Sequence, residues 1–183
     1  MNKTLLISLT IFYSVLSFGK DSCEFSPAKY NEFMQQDFDT FDQQPNGWRS
    51  LHNGPEGCGL AIVLLIDSYH LSHQQRLVPW QARLLSWHVG QNFGFLNLYV
   101  LAILRFQKSF DPEELPNPEF HWNAYARATI AFMKKDMTAL KNARDEFTTV
   151  NPMEVNNFKI VERFIRCFNA SYFDAYAGLG ACK

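Results

Sequence analysis

The sequence predicts an all-α protein built from antiparallel helical hairpins. Apolar side chains recur at helical spacing through almost every segment after residue 25. No stretch alternates with period two, and proline- and glycine-containing breaks fall where helices would be joined by turns. The 183 residues are enough for one domain, assigned to residues 20–183, and 47% hydrophobic against 19% charged is a globular balance. Lys plus Arg is 17 and Asp plus Glu is 18, a net charge of −1. That near-neutrality removes the electrostatic case for nucleic acid or an anionic membrane as the main partner. Aromatic residues are in surplus at 15%, with 17 Phe, 7 Tyr and 4 Trp.

The elements follow in order. Ser26–Pro27 starts the first helix as a serine cap followed by proline at the first helical position. Tyr30, Phe33, Met34, Phe38 and Phe41 form its apolar stripe, with Glu32, Gln35, Gln36, Asp39 and Asp42 on the polar side, until Pro45, Asn46 and Gly47 stop it. Trp48 to Gly59 holds three glycines and a proline and reads as a loop. A very apolar helix runs from about Cys58 to Tyr69, and Pro79 starts the next, to about Phe93. A further helix spans about Leu96 to Phe110; Leu98, Leu101, Ala102, Ile103, Leu104 and Phe106 leave little polar face, so burial on most sides is expected. The proline-rich segment Asp111 to Glu119 is a break. After it come helices over about Trp122–Lys134, Met137–Phe147 and Met153–Phe168, and a short turn of helix over Tyr172–Ala177.

Residues 1–19 read as a secretory signal peptide. Lys3 supplies the positive start, an apolar run from Leu5 to Leu16 follows, and Ser17 and Gly19 are small residues two apart at the cleavage end. The apolar core, about a dozen residues, falls short of the roughly 20 that a spanning helix needs. The expectation is cleavage, a periplasmic or secreted location, and no stable membrane insertion afterwards. Lipoprotein processing at Cys23 wants small residues directly before the cysteine, where Lys20, Asp21 and Ser22 stand. In an oxidising compartment the four cysteines read as two disulfides with three possible connectivities. Cys23–Cys58 and Cys167–Cys182 are favoured because each joins sequence neighbours.

The paired helices resemble tetratricopeptide repeats. Residues 83–114 match one unit through Val89–Gly90, Phe93, Ala102, Phe106 and Ser109, with prolines at 112 and 116. Gly90 and Ala102 would let two helices approach while Phe93 and Phe106 fill the groove. Residues 122–147 resemble a second, degenerate unit, with Ala128 and Ala131 facing Leu140 and Ala143. The two are offset by about 38 residues against the usual ~34. The segments GWRSLHNGPEGCGLA, LLSWHVGQ, WNAYARATIAFMKKDMTALKNAR and CFNASYFDAYAGLGAC resemble those of an uncharacterised family of exported bacterial proteins. The resemblance covers most of the chain from Trp48 onward. It implies a tetratricopeptide-like right-handed superhelix and an exported location, and it brings no activity or catalytic residue.

Several residue sets could carry chemistry. Asp67, His70 and His73 can share a helix face and are plausible zinc ligands, though the spacing is not H-E-x-x-H, and histidines near a helix C-terminus are favoured by its dipole alone. His88, between Trp87 and Val89 with Gln91 beyond, could orient a ligand or act as a general base, with His121 as a second histidine, but no nucleophile can be assigned to it. Ser26-Pro-Ala-Lys29 matches S-x-x-K without its companion motifs, and a helix cap explains the serine. The glycine-rich NGPEGCG lacks the G-K-[ST] ending of a phosphate loop. Asn169-Ala-Ser171 is a formal glycosylation sequon, of little weight because the resemblance implies a bacterial source. Trp48, Trp80, Trp87, Trp122 and Tyr125 are harder to place: such residues anchor protein partners, or they fill gaps between short helices, with Trp87 in the core. The reading is therefore an interaction module for a protein or peptide, with Trp87, His88, Gln91, Trp122, Asn123 and Tyr125 as its binding residues and no cofactor. The alternative is an extracytoplasmic hydrolase or metal-binding protein using His88 or the Asp67/His70/His73 set.

Overall fold

The structure, a computed structural model, describes residues 26–53, 58–115, 118, 120–148 and 150–182. The expected signal peptide and Cys23 lie outside them. Every regular element among the described residues is helical.

The first helix, α1 (Pro27–Gln35), is capped as expected, with Ser26 Oγ accepting from the Lys29 amide at 3.1 Å. It does not continue to Phe41. Gln36 turns extended, and Asp37 starts a new turn by accepting from the Thr40 amide at 2.7 Å. A single π turn, Asp39–Gln43, follows. The segment after Gly47 is not wholly a loop: Trp48–Asn53 forms a 3₁₀ helix. Gly47 is required there, because a Cβ would stand 2.0 Å from the Phe41 carbonyl oxygen.

Helices α2 (Gly59–His73), α3 (Pro79–Phe95) and α4 (Tyr99–Lys108) pack in sequence, α3 lying between the other two. Gly90 makes the α3–α4 contact possible as expected: a Cβ there would sit 2.8 Å from the Phe106 ring and 3.2 Å from the Ala102 oxygen. Helices α5 (Trp122–Lys134) and α6 (Met137–Asp145) form the next hairpin, with Ala128, Ala131, Leu140 and Ala143 buried. Their turn puts Lys135 in the left-handed region, φ 55°, where its ammonium donates to the Phe168 and Ala170 carbonyls and lies 3.9 Å from the Phe132 ring centroid. Asp136 then caps α6 through the Ala139 amide.

Helix α7 (Val155–Arg166) packs on α5 and α6, and the short α8 (Tyr172–Ala177) returns to α3 and α7. The Cys167–Cys182 disulfide holds this end, with Cα atoms 5.7 Å apart. Closing a loop of this size stabilises by about 3 kcal/mol. Cys58 is also disulfide-bonded.

Two apolar clusters result. Phe33, Phe41, Trp48, Ile62, Ile66, Tyr69, Leu85 and Val89 form the first. The second gathers Trp87, Phe106, Phe132, Phe164 and Tyr172 around the small residues of α5. Leu84 and Phe93 of α3 touch both. One expectation fails: α4 is not buried on most sides, since Val100, Leu101 and Leu104 are exposed.

Candidate functional site

Three places gather polar or aromatic groups. The first surrounds His88. A histidine in the middle of α3 needs partners at both ring nitrogens once buried. Nδ1 meets Gln91 Oε1, one helical turn on, at 2.9 Å, and Nε2 meets Arg49 Nη2 at 3.0 Å. A guanidinium only donates and a carboxylate only accepts, and Nε2 faces one of each. The Asp42 carboxylate, wholly buried, lies 3.4 Å from Nε2 and 3.8 Å from Arg49 Nη1, and accepts from Trp48 Nε1 at 2.8 Å and from Gln43 Nε2.

Burial alone would raise the Asp42 pKa. His88, the Trp48 indole and the Arg49 guanidinium outweigh it and hold the group below the usual carboxylate range. Arg49 stacks its guanidinium 4.5 Å from the Trp48 ring centroid. His52, edge-on to Trp48, is pushed below the ordinary histidine value by burial and then by the charges of Arg49 and His88. The His88 ring nitrogens face Gln91, Arg49 and Asp42, and no serine, threonine or cysteine hydrogen-bonds to them among the described residues.

The sequence placed Asp42 on the solvent side of one continuous helix. The break at Gln36 re-aims it, and the Pro45–Gly47 turn folds Trp48 and Arg49 back over it. A buried indole N–H beside an arginine, just past a tight turn, was the available signal for a nearby acid.

The second place is an aromatic cleft of about 390 Å³ lined by Trp80, Arg83, Leu84, Asp111, Phe120 and Trp122. Pro79 at the start of α3 and the Gln81 side chain, accepting from the Val78 amide, set the entry of that helix and so the position of Trp80. Trp80 is 49% exposed and rests edge-on against Phe38. Trp122 donates to the Ser109 carbonyl at 2.6 Å and packs its ring 4.9 Å from Trp87. Arg83 and Asp111 form an ion pair of 3.0 Å.

The third is the pair His121–Glu154. The buried Glu154 accepts from the His121 backbone amide at 2.8 Å and faces ring Nδ1 at 2.9 Å. His121 also lines a polar cavity of about 420 Å³ with Glu114, Asn123, Arg127, Glu146 and Thr148. Glu154 had no sequence signal, because it stands 33 residues from its partner.

The structure thus joins His88 to Gln91, and Trp122 to Trp87 and Tyr125, which both lie in the core with no exposed face. Burial pushes the Tyr125 phenol well above its ordinary pKa. Asn123 ties down the proline-rich segment: its side chain bonds both the amide and the carbonyl of Asp111. Asp67, His70 and His73 do not converge. Asp67 pairs with Arg105 at 2.6 Å, while the His73 ring stacks on Tyr69 with Nδ1 against the Tyr69 carbonyl. No group of three His, Cys, Asp or Glu residues is placed to hold a metal ion among the described residues, and no helix among them is long and apolar enough to cross a membrane. Ser26 and Ser171 act as helix caps, and most of NGPEGCG lies outside the described residues.

Comparison with protein-family models, curated proteins and solved structures finds no match.

Proposed function

We propose that the protein is exported, that its hairpins stack in the right-handed manner of tetratricopeptide repeats, and that it binds a protein or peptide partner. The observation that carries this reading is the aromatic cleft. Trp80, Phe120 and Trp122 offer apolar walls open to solvent, and the Arg83–Asp111 pair supplies polar groups at their edge. A cleft of this size takes one bulky apolar side chain of a bound segment, and tryptophan-walled pockets of this kind are where binding energy concentrates.

Selection of displayed peptides on the purified protein tests it. Enriched sequences should share an aromatic or aliphatic anchor, and Trp80→Ala should weaken the selected binders tenfold or more. Selection without enrichment, or binders indifferent to both Trp80→Ala and Phe120→Ala, would reject the cleft. Export predicts a mature chain beginning at Lys20; recovery of Met1 at the terminus would reject cleavage.

A second reading, an extracytoplasmic hydrolase, is favoured by the His121–Glu154 pair, since a carboxylate-oriented imidazole on a polar cavity is the form of a general base. Hydrolysis of ester or amide substrates that is lost in His121→Gln would move the assignment there.

A further inference from the structure

Helix α2 is mostly apolar and packs on α1, the Trp48–Asn53 turn and α3, yet part of its apolar surface stays uncovered. There Leu60, Leu64 and Leu71 are 48%, 67% and 69% exposed, with Asp67 in the same stripe. Helix α4 exposes Val100, Leu101 and Leu104 at 75%, 43% and 52%. Although α3 lies between them, two contacts bring these helices within reach of each other: Gly59 stands against the Leu96 side chain at the α3–α4 turn, and Asp67 pairs with Arg105 at 2.6 Å. The two apolar rows therefore flank one half-buried ion pair. Together they leave roughly 600 Å² of apolar surface in water, the upper end of what monomeric proteins show.

We infer that the α2–α4 face is where two copies of this chain associate about a twofold axis. The Asp67–Arg105 pair, closed within one chain at 2.6 Å, can exchange partners across a twofold axis near it while leucine meets leucine. Two such patches bury about 1,200 Å², the lower bound of a specific interface. The face shares no residue with the aromatic cleft, so it stands or falls independently of partner binding there.

Sedimentation of the protein, expressed from its full-length sequence and purified, tests this over a concentration series. The expected result is a reversible doubling of mass. Leu64→Glu and Leu104→Glu should each weaken association tenfold or more. Met153→Glu, at an exposed apolar position before α7, should leave it unchanged. Asp67→Arg should weaken it, and adding Arg105→Asp should restore it, with far-UV circular dichroism showing every variant helical. A chain monomeric at all concentrations overturns the inference, as does a dimer indifferent to Leu64→Glu. A monomer that sediments with phosphatidylglycerol vesicles until Leu64→Glu is introduced assigns the face to lipid and equally overturns it.

Discussion

Around His88 an acid, a guanidinium, an indole and an amide meet, and the arginine reaches partly into water; around His121 a single carboxylate holds the imidazole, both residues are buried, and His121 borders the polar cavity. The first arrangement is assembled by the irregular chain between α1 and α2, the second by the loop entering α5 and the start of α7. The difference lies in what a lost partner leaves behind. In the first, water and the remaining groups can compensate. In the second, a buried backbone amide and a ring nitrogen would lose the one carboxylate that both face.

The largest test of that contrast is Glu154→Ala. Removing one partner of a buried pair costs about 3–5 kcal/mol, read as a lowered urea midpoint. A loss below about 1 kcal/mol would mean that solvent reaches the pair. Asp42→Asn should cost less, about 2 kcal/mol at neutral pH, because Arg49 can turn outward and the amide still accepts from Trp48. Its pH dependence is specific. Asp42 is held below its unfolded value, so its stabilisation is complete above about pH 4 and is lost as pH falls through the folded value. The variant's deficit should therefore shrink in acid; a constant deficit would place the effect in packing.

The smallest expected effect comes from His52. Its pKa is lowered in the folded chain, so the unfolded chain takes up a proton that the folded one resists. Stability should be level above about pH 6.5 and decline below it, and His52→Gln should flatten its share of that decline. An unchanged slope would show that neither partial burial nor the neighbouring Arg49 and His88 perturbs His52.

Much of the fold was legible in the residues. The Ser26–Pro27 start, the Gly90/Ala102 close approach and the burial of Ala128 and Ala131 are local or periodic signals, and each is met in the structure; the described part of the Asp111–Glu119 break is non-helical. Candidate chemistry was less legible. His88 and Gln91, one turn apart on α3, could be paired from spacing, whereas Asp42, Arg49 and Glu154 could not. Trp87 and Tyr125 were candidates both for partner anchors and for core packing, and the second apolar cluster takes both.

Helix positions, caps and close-approach glycines depend on residues within a turn or two of one another, so the amino-acid order alone determined them. Which acid faces which histidine, and which leucines stay in water on α2 and α4, depends on the orientation of whole elements after the breaks at Gln36 and Gly47 and after α3 has taken both its neighbours. Those orientations follow from packing between segments far apart in the chain, where spacing carries no information, and only the assembled tertiary structure decided them.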